Sequence, residues 1–339
     1  MTIEEALSHV VSRRNLRETE SQELMEAIMR GEATPAQIAG LLVGLRMKGE
    51  TATEITGFAR AMRANVVPVA HKLENLVDTC GTGGDSLKTF NLSTAAAIIA
   101  SAAGVPIAKH GNRAFTSKCG SADVLEALGA NLNLDADQCS NMLETVGLAF
   151  MFAPNHHPAM KHASGPRKEM KLRTVFNLLG PLTNPAGASR QCIGVFAPAL
   201  VPKIASALRR LGCKRGVVAH GMLGLDEVSP IGATRLAIID GKQVTEKFVQ
   251  AEDFGIEPPR ISEIACDGGV DRAAEMLRTA ISNADSPEAR AVLPGAGVAI
   301  WLGDGSESMV GGVDLARRAI ADGAARDKLN EFVARSNEF

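Results

Sequence analysis

The chain has 339 residues, 45% of them apolar and 22% charged, which is ordinary globular usage, argues against disorder and leaves material for a large core and a small second domain. A net charge of −2 and a pI near 6.4 supply no overall pull toward nucleic acid or an anionic membrane, so neither is an expected partner and small-molecule chemistry leads. Six scattered cysteines, Cys80, Cys119, Cys139, Cys192, Cys213 and Cys266, form no C-x-x-C pair, and they read as reduced thiols rather than a zinc site or a disulfide framework.

The N-terminal MTIEEALSHVVSRRN mixes charges and lacks the apolar stretch of a signal peptide. Residues 1–70 read as a small α-helical domain, with apolar residues at helical spacing and capping boxes at Thr19 with Gln22, Thr34 with Gln37, and Thr51 with Glu54. From residue 71 to 339 the pattern becomes that of an α/β domain with a central, mostly parallel sheet. Short runs NLVDTC, VPIAKH, LAFMFA, QCIGVFA and KRGVVAH alternate with helical runs such as TAAAIIASAA and ALVPKIASALRRL. The segment 166–188 reads as more helix, expected to pack partly on the N-terminal helices, and the chain beyond Gly268 reads as helices covering the sheet. The most apolar segment, Thr94 to Ala108, is broken by Ser101, Gly104 and Pro106 and is too short to cross a bilayer. A soluble, cytoplasmic protein is expected.

Four constellations carry candidate chemistry. The first is Asp78-Thr-Cys-Gly-Thr-Gly-Gly-Asp85, a strand running into glycines, followed by Asn91-Leu-Ser-Thr94 at a helix start. Glycines let backbone approach an anion, and a helix N-terminus offers free N–H groups, so this suits phosphate. Alone it is also what a tight strand-to-helix turn looks like. It fits neither the dinucleotide spacing nor the Walker lysine motif. Asp85 beside an anion needs a ribose hydroxyl, a backbone donor or a cation. Cys80 reads as a buried structural thiol.

The second is Lys109-His-Gly-Asn-Arg113 with Ser117, Lys118 and Ser121, placing donors at a strand end, where ligands of open parallel sheets sit. Ser121 is expected to cap the following helix, and a solvated basic loop is the bland alternative. The third is Asp226-Glu227 after the strand GVVAHG, adjacent carboxylates that a Mg²⁺ completed by water and phosphate oxygens would reconcile and that solvent alone would also tolerate. The fourth is His156-His157 with Arg167 ahead of FNLLGPLTNP. The arginine suits a carboxylate, and the histidines suit the wall of a substrate site rather than a metal, although a histidine pair in a loop is more often structural.

Taken in order, GTGGD, NLST, KHGNR, GSADVLEALG, HHPAMKH, FNLLGPLTNPA and GLDEVSP resemble the anthranilate phosphoribosyltransferases over essentially the whole chain. The resemblance implies a Mg²⁺-dependent transfer, with two ions expected, of the phosphoribosyl group of phosphoribosyl pyrophosphate (PRPP) to the amine of anthranilate, in tryptophan biosynthesis. It implies that Gly81, Gly84, Asp85, Thr89, Asn91, Ser93, Thr94, Lys109, Ser117 and Ser121 hold PRPP. Gly81, Asn112 and Arg167 would touch anthranilate, with His110 and His157 nearby, and Ser93, Asp226 and Glu227 would hold the metal. It also implies a homodimer through the helical domain. Ala114, Phe115 and Thr116 depart from the small, serine-rich residues common there. No residue is assigned as general acid or base, because an aromatic amine is already neutral and nucleophilic at pH 7.

Two rival readings are a pyrimidine nucleoside phosphorylase on a similar fold and a relative that has exchanged synthesis for nucleic-acid binding. The first should not need the Asp226-Glu227 pair, and the charge balance does not indicate the basic surface of the second.

Overall fold

The structure, a computed structural model, describes residues 1–84, 87–114 and 119–339; Asp85 and Ser117, both expected on PRPP, lie outside the described residues, as do Phe115 and Thr116. Helices Ile3–Val11, Glu18–Met29, Pro35–Lys48 and Ala52–Ala64 form an N-terminal bundle. Thr34 and Gln37 make the expected reciprocal bonds at 3.2 and 2.9 Å, and so do Thr51 and Glu54. The box expected at Thr19 does not form. The second helix starts two residues earlier, with Arg17 as its cap, and the Glu20 carboxylate takes the Arg17 N–H at 2.8 Å and its guanidinium at 2.7 Å. A further box, Thr2 with Glu5, starts the first helix.

The bundle core consists of Leu24, Met25, Ile28, Ile38, Leu41, Leu42, Leu45, Ile55 and Phe58, all essentially excluded from solvent. It does not stop at the bundle. Val175, Phe176, Leu178 and Leu179 of the Val175–Leu179 helix belong to the same apolar cluster, together with Ile193, Val195, Val218 and the buried face of the Leu200–Arg210 helix. One face of the sheet and the bundle therefore share a continuous core.

The sheet has seven strands: β1 (Val77–Gly81), β2 (Ile107–Gly111), β3 (Leu148–Phe152), β4 (Arg190–Gly194), β5 (Arg215–Gly221), β6 (Thr234–Asp240) and β7 (Gln243–Val249), in the order β3-β2-β1-β4-β5-β6-β7. The first five run parallel, and β6 and β7 are antiparallel additions. Strands β1 to β5 are nearly continuously buried, as covering both faces of a parallel sheet requires. The opposite face carries the Leu92–Ala102 helix and the C-terminal helices Gly269–Ser282, Pro287–Leu302, Met309–Ala321 and Ala324–Ser336. At the amino ends of β4 and β5, Arg190 and Arg215 both pair with Asp304, at 2.6 and 2.8 Å, and the Arg215 guanidinium lies 3.9 Å from the centroid of the Trp301 ring.

Strand order reverses about β1, which has β2 on one side and β4 on the other. A crevice at the carboxyl ends of such strands is where open α/β sheets bind ligands. Gly81 and Gly194 face each other in register at those two ends.

Candidate active site

Beyond Gly81 the chain turns through Gly83 (φ +71°) and Gly84 (φ +88°), left-handed conformations natural to glycine. The Gly83 N–H donates to Asp226 Oδ2 at 2.6 Å, so a carboxylate takes one of the turn's backbone donors. This approach depends on missing side chains. A Cβ on Gly81 would lie 2.6 Å from Asp226 Oδ2, and one on Gly194 would lie 1.6 Å from the Asp226 carbonyl oxygen. The Asp226-Glu227 loop is therefore bedded directly on the carboxyl ends of β1 and β4. The Thr82 N–H donates to the Gly194 carbonyl at 2.9 Å, and the Phe196 N–H donates to Thr82 Oγ1 at 3.1 Å.

On the other side of β1, Lys109 is buried at 3% exposure, a costly place for an ammonium unless it is well partnered. Its Nζ donates to the Thr79 carbonyl at 2.5 Å and to Ser93 Oγ at 3.3 Å. Asp78, fully buried behind it, accepts the His110 N–H at 3.2 Å. Burial pushes its carboxyl up to about 6, against the pull of Asn184, Lys109 and the His110 amide. Asn91 stands at the start of the Leu92–Ala102 helix without capping it by its side chain, which meets Cys119 instead at 3.5 Å. Thr94 Oγ1 is buried and has no hydrogen-bond partner among the described residues. Thr89 forms an isolated bridge with Ala265.

The two histidines of the fourth constellation diverge. His156 Nδ1 lies 3.3 Å from the Val67 carbonyl, whereas the His157 ring faces His110 with centroids 5.1 Å apart. Burial takes His110 down to about 3, with His157 adding to it, and takes His157 down to about 4. Both are neutral at pH 7. His110 Nδ1 is bonded to the Gly180 carbonyl at 3.1 Å, which makes it the protonated nitrogen and leaves Nε2 an acceptor. The Nε2 atoms of both rings are buried and unpartnered among the described residues. A crevice too narrow to admit water adjoins His157, lined also by Met29, Met62, Asn65, Ala159 and Met160. The Arg167 guanidinium lies 4.9 Å from the Phe176 ring centroid, half-buried, and burial lowers its pKa.

Asn112 is exposed, with its Oδ1 accepting the Arg113 N–H at 2.8 Å and its carbonyl accepting from Ser121 Oγ at 3.4 Å. Arg113, one of the donors expected at this strand end, instead pairs with Asp123 and Glu126. Ser121 is the first helical residue rather than the cap. That place belongs to Gly120, whose N–H is taken by the Asp123 carboxylate at 2.8 Å.

Residues 4–66 match the glycosyl transferase family model of the helical bundle domain, and residues 73–326 match that of the a/b domain. The chain is 47% identical over 334 residues to the anthranilate phosphoribosyltransferase of Thioalkalivibrio sulfidiphilus, covering 98% of each chain. It belongs to the anthranilate phosphoribosyltransferase family. The anthranilate phosphoribosyltransferase of Desulforamulus reducens is likewise 47% identical over 331 residues, 98% of this chain and 96% of that one. The solved structure of the Thermus thermophilus enzyme aligns with a TM-score of 0.91 at 40% identity, covering 98% of this chain and 99% of that one. The Saccharomyces cerevisiae enzyme in complex with PRPP and Mg aligns with a TM-score of 0.89 at 27% identity, over 99% and 98%.

Against this anthranilate phosphoribosyltransferase framework, the motifs left out Arg173. Its Nη1 donates to the Gly84 carbonyl at 3.0 Å. The only signal in the sequence was a second arginine six positions after Arg167. As a donor set, the Ser93 hydroxyl and the Asp226 and Glu227 carboxylates are all hard oxygen ligands, which fits Mg²⁺ and not a thiolate- or imidazole-seeking metal. Among the described residues no three His, Cys, Asp or Glu side chains group as a metal site, so substrate and water oxygens would have to complete the shell.

Proposed function

We infer that the chain transfers the phosphoribosyl group of PRPP to the amine of anthranilate, giving N-(5-phosphoribosyl)anthranilate and pyrophosphate, in L-tryptophan biosynthesis. The observation that carries this reading is the bedding of the Asp226-Glu227 loop on the glycine turn at the β1/β4 crevice. That juxtaposition sets a side-chain-free turn, which an anion can approach closely, beside two carboxylates suited to Mg²⁺, as a Mg²⁺-diphosphate substrate requires. Full-length similarity to anthranilate phosphoribosyltransferases supports the choice of substrates.

On this reading Gly81, Gly84, Asp85, Thr89, Asn91, Ser93, Thr94, Lys109, Ser117 and Ser121 hold PRPP, and Ser93, Asp226 and Glu227 hold two Mg²⁺ ions. When bound, the metal supplies charge neutralisation for the departing pyrophosphate. The chain's own part is to position the reactants. The glycine turn lets the diphosphate approach the backbone closely, and buried Lys109 adds a positive charge whose Nζ is held by the Thr79 carbonyl and the Ser93 hydroxyl. Arg167, Asn112 and Gly81 place anthranilate. The neutral His110 and His157 rings lie with centroids 5.1 Å apart and each keeps a buried, unpartnered Nε2, which a polar group of the substrate would satisfy. No group is needed to deprotonate the amine before attack, so orientation is the main contribution.

The chain divides near residue 70 into a helical domain, joined by part of 166–188, and the α/β domain. A homodimer through the helical domain is supported by the exposed Val11, Val43 and Met47 on its first and third helices. Among the described residues no helix is long and apolar enough to cross a membrane, and the cytoplasm is the expected location. Loss of anthranilate fluorescence that needs both PRPP and Mg²⁺ tests the reading. Folded protein that consumes none, or that instead phosphorolyses thymidine or uridine, overturns it.

A further inference from the structure

Arg173 belongs to none of the residue sets above, yet it joins three parts of the cleft. Its Nη1 donates to the Gly84 carbonyl at 3.0 Å, and its guanidinium carbon lies 4.7 Å from the Phe196 ring centroid. Phe196 is itself tied to the turn through its N–H on Thr82 Oγ1. The backbone of Arg173 lies in the short stretch between Arg167, stacked on Phe176, and the Val175–Leu179 helix, where the Thr174 N–H donates to Asn177 Oδ1 at 3.0 Å. One segment therefore carries both the guanidinium suited to a carboxylate and the guanidinium resting on the glycine turn.

Two consecutive glycines at positive φ leave a turn with many accessible conformations, and a carbonyl swung into an anion site would repel the anion. A guanidinium bonded to the Gly84 oxygen restricts that swing, and its planar fork can hold the carbonyl while its face rests on an aromatic ring. The approach is close enough that a Cβ on Gly84 would lie 2.6 Å from Arg173 Nη1. We propose that Arg173 is a positioning residue that holds the glycine turn in its diphosphate-binding conformation and ties it to the segment bearing Arg167. This rests on the transferase reading.

The test is calorimetric binding of PRPP with Mg²⁺ in the absence of anthranilate, so that no turnover contributes, on the parent, Arg173→Ala and Arg173→Lys, with thermal melts alongside. Loss of a hydrogen bond to a charged donor predicts a PRPP dissociation constant about tenfold or more higher for the alanine variant. The melting temperature should stay close to the parent's, the KM for PRPP should rise more than kcat falls, and lysine should recover part of the affinity. Arg173→Gln, which keeps a donor without the charge, replaces the alanine variant if that one does not fold, and it should bind PRPP more weakly than the lysine variant. Parent-like PRPP affinity in the alanine or glutamine variant overturns the proposal and leaves the transferase reading intact. So does a loss of affinity that tracks a lower melting temperature and is not recovered by lysine. A parent that fails to bind PRPP overturns both.

Discussion

Replacing Gly194 with alanine puts a methyl group where the structure has no room for one. Its Cβ would stand 1.6 Å from the Asp226 carbonyl oxygen, 2.3 Å from the Asp226 carbonyl carbon and 3.0 Å from the Glu227 nitrogen. All three are backbone atoms, so no rotamer change relieves the overlap. Carbon and oxygen need about 3.3 Å, so the carboxylate loop must retreat from β4 by about 1.7 Å. A misplacement of about 1 Å at a catalytic group costs on the order of a hundredfold, so kcat/KM should fall at least that much. The overpacking itself should cost about 1 to 3 kcal/mol, small enough to leave a folded protein. The assay is anthranilate fluorescence loss at fixed PRPP over a Mg²⁺ titration, with PRPP binding followed by calorimetry. Gly295→Ala is the control: its Cβ would meet Ala96 Cβ at 3.5 Å, an ordinary contact, and a helix-interior alanine should add up to about 1 kcal/mol with activity unchanged. A Gly194→Ala enzyme within about threefold of the parent's kcat/KM would refute the claim that an empty strand end places the carboxylates.

Arg167→Ala should raise the KM for anthranilate far more than that for PRPP, and equal effects on both would remove the dedicated carboxylate clamp. Stability should decline with acid. His110 and His157 titrate near 3 and 4 in the folded chain against 6.5 when free, so the unfolded chain takes up protons that the folded one refuses as pH falls below 6.5. Asp78 opposes this, because its raised pKa of about 6 makes the folded state the better proton binder between there and 3.8, and half-buried Glu50, also raised, acts with it; His156, lowered by burial like the other two histidines, adds to the decline, leaving three groups against two. The melting temperature should therefore fall from pH 6.5 to 4, less steeply in His110→Asn, and an unchanged slope would contradict a neutral buried His110. Asp304→Asn should cost about 1 kcal/mol in urea unfolding, discounted because Asp304 is 47% exposed, and no change would show that the Arg190 and Arg215 pairs do not hold the helix end to the sheet.

Strands β1 to β5 were legible because a strand buried on both faces is an apolar run, and each ran into a turn that glycine, proline or polar residues announced. The β6–β7 hairpin was not read. β7, Gln243-Val-Thr-Glu-Lys-Phe-Val249, lies at the sheet edge, exposed along nearly its whole length, so it has no buried face to imprint an alternation. The Asp240-Gly241 turn was the available signal, with Gly241 at φ +56°. Local hydrogen-bond competition explains the smaller misses: Glu20 outreached Thr19, and Asp123 took the Gly120 amide that would otherwise have left Ser121 as the cap. The proposed site segments could be listed from motifs, but not which of them touch. That Asp226 reaches Gly83, 143 positions earlier, or that Arg173 reaches Gly84, 89 positions earlier, is decided by sheet order.

The bedding of the acidic loop on β1 and β4 has a practical meaning for anyone wishing to move this site elsewhere. Its two carboxylates are located by subtraction, through the side chains that Gly81 and Gly194 lack. Grafting Leu225-Asp-Glu-Val228 onto another parallel sheet would copy the ligands without their seat. The transplant has to include two neighbouring glycine-ended strands in register, and a host whose strands end in valine or isoleucine would hold the same four residues too high above the sheet to share an anion with its turn.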